Sequence, residues 1–403
     1  MKRQVGSNAL SICLIIFHAF PEIGGGEERF LKNFSDFLKN KKISYTIVSR
    51  ISKSNNPDVI GVGIRPFRLP LIGLTPYAFL FSIIACIRII SINKHRHFSL
   101  IHSMDTGYAG LAGLFASKIL GLNFVVHSHC SRAHLLNLIL LLNRGFARYL
   151  VTVYEKLESS IDRLVARNAN VVIAVSKEIG QYIESLGVPH KKIVINPIGL
   201  EVASFESGMK DKSEIRDEFK VPSDAFVIGY VGRIEFTNKR IDVLLRAFSL
   251  FRNQTNVNSF LLLVGNEEHK KLEKMVRGMK LSSVIIPGFR SDIKRILASI
   301  DVFVLPSLSE GCPFSLLEAM AAEKAIIASD IPGIREIVED GIDALLFDPK
   351  NVHMLLQAFL RLYYDLELRQ RLGNNAKRKA LLYDTDVVSR KIIKIYEYCV
   401  SIN

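Results

Sequence analysis

The sequence predicts an α/β protein made of two doubly wound domains, each with a parallel sheet. Three observations carry that prediction. The chain has 403 residues, more than one hydrophobic core usually serves. Short apolar runs alternate with longer helical patterns throughout. The composition changes near residue 204, where charge density rises and apolar periodicity lapses. A content of 49% hydrophobic and 23% charged residues excludes a disordered chain, and 25 glycines with 13 prolines exclude a collagenous one.

In the first half the expected strands are Ser11–Phe17, Ser44–Val48, Leu100–His102, Phe124–His127 and Val171–Val175. Each is a compact apolar run, as a strand covered on both faces requires. Helical patterns fill the gaps at Glu27–Lys39, Ala109–Leu120, Tyr149–Ala166 and Lys177–Leu186. In the second half Phe226–Val231, Ser259–Val264, Val284–Pro287, Val302–Leu305 and Ala325–Ala328 read as strands. The resulting division is an N-terminal domain over 1–203, a linker or peripheral segment over 204–224 and a C-terminal domain over 225–380. A final helix over 381–403 is expected to pack back on the N-terminal domain. Two such domains facing each other would form a cleft at the carboxyl ends of their sheets, where doubly wound folds take ligands.

The net charge is +14, and +13 of it falls in residues 1–200. A basic first half attracts anionic partners: nucleic acid, anionic lipid or a phosphorylated substrate. The five cysteines (Cys13, Cys86, Cys130, Cys312 and Cys399) are scattered and form no CxxC pair, which argues against a disulfide framework or structural zinc and for a reducing compartment. The apolar start Leu10–Phe20 runs into Pro21-Glu22-Ile23-Gly24 without a cleavage pattern, so it does not read as a signal peptide. Leu69–Ile92 has the length of a membrane span, but it contains Pro70, Gly73, Pro76 and Arg88 and reads as a buried helix. Leu135–Leu142 is too short to cross a bilayer and long enough to lie on one, or to be core.

Four motifs bear on chemistry. Gly24-Gly25-Gly26-Glu27-Glu28 follows the first strand and opens a helix. It suits either a phosphate held on free N–H groups or a tight turn whose acids favour the helix dipole. Gly232-Arg233 ends a strand, and Lys239-Arg240 begins six residues after Arg233. Such a loop can neutralise a diphosphate, or be a solvated basic turn. The run from Pro306 to Met320 leads from a strand through Glu310 and Gly311 into an alanine-rich helix, with Glu318 expected in its first turn. Carboxylates there can accept hydrogen bonds from sugar hydroxyls, although Ser315-x-x-Glu318 also reads as a capping box. His127 and His129 stand at the end of a first-half strand, with no further metal ligand near them in sequence.

Read together, these motifs resemble the retaining glycosyltransferase family 4, whose GT-B fold has two facing Rossmann-like domains. The resemblance covers nearly the whole chain and is densest from Ala169 to Pro349. Gly24–Glu27 matches the family's GG-x-E-like loop, Gly232-Arg233 with Lys239 its GR…K pair, and Glu310 to Glu318 its E-x7-E motif. Gly333 to Val338 with Asp340-Gly341 matches the segment that follows. Two departures stand out: Asn196-Pro197-Ile198-Gly199 replaces the usual Asn-Gly, and Pro332 replaces the first glycine of a pair.

The resemblance implies a metal-independent enzyme without a cofactor that takes a UDP- or GDP-linked sugar. Arg233 and Lys239 would hold the diphosphate, Glu310 the sugar hydroxyls and Glu318 the ribose. Gly25, Gly26, Glu27, Gly311, Cys312, Pro313, Phe314 and Ser315 would line the donor pocket, with Gly288, Phe289 and Arg290 near the base. His129 is similar to the family's active-site histidine, with His127 as second choice. The only DxD string, Asp384-Thr385-Asp386, follows no strand and reads as a helix start rather than a metal site. The implied acceptor is a glycan or lipid-diphosphate-linked glycan. Arg132, Leu138, Arg144 and Arg148 would meet it at an anionic membrane surface, on the cytoplasmic face of the inner membrane. No nucleic-acid partner is expected, and the oligomeric state is left open. The competing readings are a GT-B sugar-nucleotide epimerase and a non-catalytic basic lipid- or nucleic-acid-binding protein.

Overall fold

The computed structural model describes residues 10–20, 25–52, 54, 56–64, 75–129, 146–205, 212–266 and 269–402. The chain divides into two units, Met1–Gly199 with Thr385–Asn403, and Leu200–Asp384.

The first unit holds seven parallel strands: β1 (Ser11–Ile16), β2 (Ser44–Ser49), β3 (Val59–Gly61), β4 (Leu100–Ser103), β5 (Asn123–Ser128), β6 (Val171–Ala174) and β7 (Ile193–Ile195). Their order is β3-β2-β1-β4-β5-β6-β7. The central strand β1 is buried along its whole length and pairs from Ser11↔Ser44 to Ile16↔Ser49 on one side and from Ile12↔Leu100 on the other. An apolar run without alternation is what two covered faces demand.

Helices α1 (Gly26–Asn40), α2 (Thr75–Arg96), α3 (Tyr108–Leu120), α4 (Phe146–Asn168) and α5 (Lys177–Ser185) connect the strands. The core-facing side of α1 is Phe30, Leu31, Phe34, Phe37 and Leu38, a helical spacing, and Glu27 and Glu28 in its first turn suit the dipole. Long and apolar enough to cross a membrane by length and composition, α2 nevertheless packs against α3 with Ala78, Phe81, Ala85 and Ile89 buried. It is not the fully buried helix expected from the sequence: Leu80, Ile83 and Ile87 stand exposed on its other side.

The second unit holds six parallel strands: β8 (Phe226–Val231), β9 (Ser259–Val264), β10 (Val284–Gly288), β11 (Val302–Leu305), β12 (Ala325–Ser329) and β13 (Leu345–Phe347), in the order β10-β9-β8-β11-β12-β13. The helices are α6 (Lys212–Glu218), α7 (Ile241–Thr255), α8 (His269–Gly278), α9 (Ile293–Ser299), α10 (Phe314–Ala321), α11 (Pro332–Arg335), α12 (Val352–Tyr364) and α13 (Leu366–Ala380).

The segment expected as a linker belongs to this second unit. On α6, Arg216 is 3% exposed and donates to the carbonyls of Ser223, Ala225 and Ser299, and to Asp301. A charged stretch that looks solvated is therefore an anchor, because carbonyls and a carboxylate satisfy the guanidinium. Burial opposes ionisation of Asp301, but the Val227 N–H, Lys212 and Arg216 outweigh it and hold its carboxyl below the usual range.

The chain leaves the first unit at Gly199 rather than 203 and returns to it at Thr385 rather than 381. The two crossing points lie side by side, since the Leu200 N–H donates to the Tyr383 carbonyl at 2.9 Å. The last helix, α14 (Thr385–Ser401), packs on α1 and β4. The Asn123 side chain donates to the Cys399 carbonyl at 2.5 Å, and Asn196 to that of Val388 at 3.3 Å. Asp384-Thr385-Asp386 lies at the start of α14, with Asp386 3.3 Å from Lys41.

Candidate active site

In the second unit the candidate residues gather at the carboxyl edge of the sheet. Gly232 directly follows β8 and Gly265 directly follows β9. A Cβ on Gly265 would lie 1.8 Å from the Gly232 carbonyl oxygen, and Gly265 has φ +154, so only glycine lets the two strand ends meet. The Gly232 N–H donates to the Val264 carbonyl and the Gly265 N–H to that of Gly288, which ties the ends of β8, β9 and β10 together. On this platform the Tyr230 hydroxyl donates to the Arg233 carbonyl at 2.7 Å. The Arg233 side chain is exposed, and among the described residues it has no ion-pair partner.

Lys239 Nζ lies 2.6 Å from Glu310 Oε1, and the two side chains are only 13% and 10% exposed. The Ser307 hydroxyl donates to the same carboxylate oxygen at 2.6 Å. Asn238 fastens the two loops: its side chain donates to the Ser309 carbonyl, and its own carbonyl accepts from the Leu308 N–H. An ammonium has three donors, so Lys239 can keep Glu310 and still meet an anion.

Beyond Glu310 the chain enters α10 at Phe314, with Pro313 as N-cap and no side-chain cap. The capping-box alternative is therefore not formed. Glu318 is the fifth helical residue, in the second turn rather than the first, and is buried at 1%. Gly311, Cys312, Phe314 and Ser315 are partly exposed around the entry to the helix, and Pro313 is buried. The departure at Pro332 leaves the next position intact. A Cβ on Gly333 would lie 1.9 Å from the Glu310 carbonyl oxygen, so α11 presses its backbone onto the Glu310 loop. At the end of β10, Phe289 is 62% exposed. Arg290 pairs with Asp292 at 2.7 Å and Glu218 at 2.5 Å, and these partners hold its guanidinium charged and turned to protein carboxylates.

In the first unit Gly25 is the extended N-cap of α1 and Gly26 its first residue. Glu27 and Glu28 lie 3.8 and 3.7 Å from His18. At the end of β5, His127 is wholly buried, whereas His129 is partly exposed. The His127 and His129 rings stack at 4.4 Å, and His102 of β4 also stacks with His127, at 5.6 Å. Burial pushes His102 and His129 down to about 3 and His127 well below its ordinary value, with the neighbouring imidazoles adding to the shift of His102 and His127. Arg132, Leu138 and Arg144 lie outside the described residues, as does the side chain of Arg148. Among the described residues no group of three or more His, Cys, Asp or Glu side chains is arranged to hold a metal.

Sequence reasoning missed Gly265, Ser307, Asn238, His102 and Tyr396. Gly265 had a signal, a glycine closing an apolar strand just as Gly232 does. Tyr396 had none, because its partner His102 is 294 residues away.

Comparison with known proteins agrees with this geometry. The family model for glycosyltransferase family 4 matches residues 24–204, and that for glycosyl transferases group 1 matches residues 211–379. A Campylobacter jejuni N,N'-diacetylbacillosaminyl-diphospho-undecaprenol alpha-1,3-N-acetylgalactosaminyltransferase is 29% identical over 59% of this chain and 63% of its own length. An Escherichia coli UDP-Gal:alpha-D-GlcNAc-diphosphoundecaprenol alpha-1,3-galactosyltransferase is 24% identical over 86% of each chain. Among solved structures, Anabaena HepE in complex with UDP-glucose superposes with a TM-score of 0.75 at 19% identity, over 96% of this chain and 100% of that one. The two models fall in succession on the two parallel-sheet units, and the chain belongs to the group 1, family 4 glycosyltransferases of the GT-B fold.

Proposed function

We propose that the protein moves a sugar from a UDP- or GDP-linked donor to a glycan carried on a lipid diphosphate, with retention and without a metal, in cell-surface polysaccharide assembly. The observation that carries this reading is that the segment after β8 supplies both an exposed Arg233, without an ion-pair partner among the described residues, and a Lys239 held by Glu310. The two relatives named above act on diphospho-undecaprenol substrates, and one uses UDP-galactose, which favours a uridine donor and a lipid-linked acceptor.

In this reaction the bond between the sugar anomeric carbon and the diphosphate oxygen breaks, and its electron pair leaves with the diphosphate. Arg233 and Lys239 stabilise that charge, which is greatest in the transition state. Glu310, oriented by Ser307, accepts hydrogen bonds from the sugar hydroxyls, and Glu318 takes the ribose. The acceptor hydroxyl bonds to the same face of the sugar and passes its proton to the departing phosphate. His129 supplies a neutral imidazole to the reacting groups. Gly25, Gly26 and Glu27 complete the donor contacts.

A lipid-borne acceptor places the enzyme on the cytoplasmic face of a membrane, and the α2–α3 pair offers a face for it. Ile83 and Ile87 are 58% and 60% exposed, Phe115 and Ile119 of α3 are exposed too, and neither helix contains an acidic residue. Arg88, Lys94, Arg96 and Lys118 add positive charge, which suits anionic headgroups. Sedimentation with anionic vesicles should pull down the wild type and lose the Ile83→Asp, Ile87→Asp double variant. Equal recovery of the two would remove this face from the reading.

Release of nucleoside diphosphate tests the reaction itself. It should rise strongly when undecaprenyl-diphosphate glycans are added to UDP-sugars. Release that ignores every acceptor, with interconverted sugar as the product, would replace transfer by epimerisation.

A further inference from the structure

The rings of His102, His127 and His129 form a stack whose successive planes differ by 14° and 15°. Phe30 of α1 closes it edge-on, 4.6 Å from His127 and 5.1 Å from His129. At the far end the Tyr396 hydroxyl of α14 is 2.5 Å from His102 Nδ1. Among the described residues, His102 Nε2, both ring nitrogens of His127 and His129 Nε2 are shielded and have no hydrogen-bond partner. An unsatisfied buried polar atom costs about 1–3 kcal/mol, so a core selected for stability alone would be apolar at these positions. The mechanism uses only the outermost ring, and three histidines in this arrangement call for a further role.

We propose that His127 is a positioning residue for His129: packed against both His102 and Phe30, it fixes the plane of the His129 imidazole and keeps water from its inner edge. This rests on the reading of His129 as the active-site histidine. The anchoring runs through His102 to Tyr396, so a helix contributed from the end of the chain sets the stack. The dry inner edge has an electrostatic consequence, because a proton on His129 would place a cation against stacked imidazoles in a low dielectric. Among the described residues, the ring contacts to the stack come from Phe30 of α1 and Tyr396 of α14, while Glu27 and Glu28 of α1 sit by His18. The stack therefore keeps His129 a neutral hydrogen-bonding group down to acidic pH.

The test compares His127→Phe with His127→Ala in the full-length protein, following kcat and donor KM from pH 5.5 to 8.5. The phenylalanine variant retains a dry stacked ring and should keep the wild-type pH profile. The alanine variant admits water and should bring the acid limb of kcat up toward pH 6.5, about a fourfold loss at pH 6 that is recovered at pH 8. Imidazole NMR on the wild type provides a reading that needs no variant: the His129 resonances should not titrate above pH 5. Titration of His129 near 6.5 in the wild type overturns the proposal. So does an alanine variant with lower Tm and an unchanged pH profile, or a phenylalanine variant as damaged as alanine. A His129→Ala variant separates the two ideas, since undiminished activity there removes His129 from the site whatever the stack does.

Discussion

At the carboxyl edge of the second unit, polar groups are held by pairing: Lys239 on Glu310, Glu310 on Ser307, Asn238 on the next loop. At the ends of β4 and β5 in the first unit, three histidines are held by stacking, and burial strips them of charge. A paired carboxylate and ammonium keep their charges and can pass them to a ligand; a stacked imidazole keeps its shape and gives up its charge. The difference suits the proposed reaction, in which the second unit meets the diphosphate and the first offers hydrogen bonds. It also means the two halves respond to different perturbations.

The largest expected effect lies in the paired half. Lys239→Ala should lower kcat/KM for the nucleotide-sugar by about a hundred- to a thousandfold, read as initial rates of diphosphate release. A near wild-type rate would leave the pair without a part in leaving-group departure. Acid should act on the stacked half. His102 is neutral in the fold near pH 5 and has an ordinary value of 6.5 when unfolded, so the unfolded chain binds the extra proton. Stability is accordingly level above pH 7 and falls as pH drops through 6.5; His102 alone costs about 2 kcal/mol at pH 5, with His127 and His129 acting in the same sense. Denaturant titrations at pH 7.5 and 5 with probes in each unit should show the first unit losing more. Gly333→Ala drives a Cβ toward the Glu310 carbonyl, for about 1–3 kcal/mol of strain and a raised donor KM. Tyr396→Phe removes one hydrogen bond from His102 and should lower stability by about 1 kcal/mol in the first unit alone.

The same contrast explains what could be read from the sequence. The strands β1, β2, β8 and β9 are six residues long with mostly apolar, buried side chains and were legible from the sequence. The edge strands β3, β7 and β13 are three residues each, too short for any periodicity to show. In the paired half the chemistry is local: Arg233 and Lys239 are close in sequence, and Glu310 stands eight positions before Glu318. In the stacked half it is not. His102 meets Tyr396 only because the chain returns to the first unit after residue 384, and no spacing rule predicts such a contact. The charged stretch ahead of β8 misled for a related reason, since the acceptors that bury Arg216 include Ser299 and Asp301, far along the chain.

The adjacency of Leu200 and Tyr383 also bears on synthesis. The second unit is an insertion whose ends meet, so it can close as soon as it clears the ribosome. The first unit is begun earlier and completed later, because its sheet waits for α14 to cover β4 and the flank of α1. The half translated first is thus the half that matures last, and until α14 is made the flank it covers stays bare.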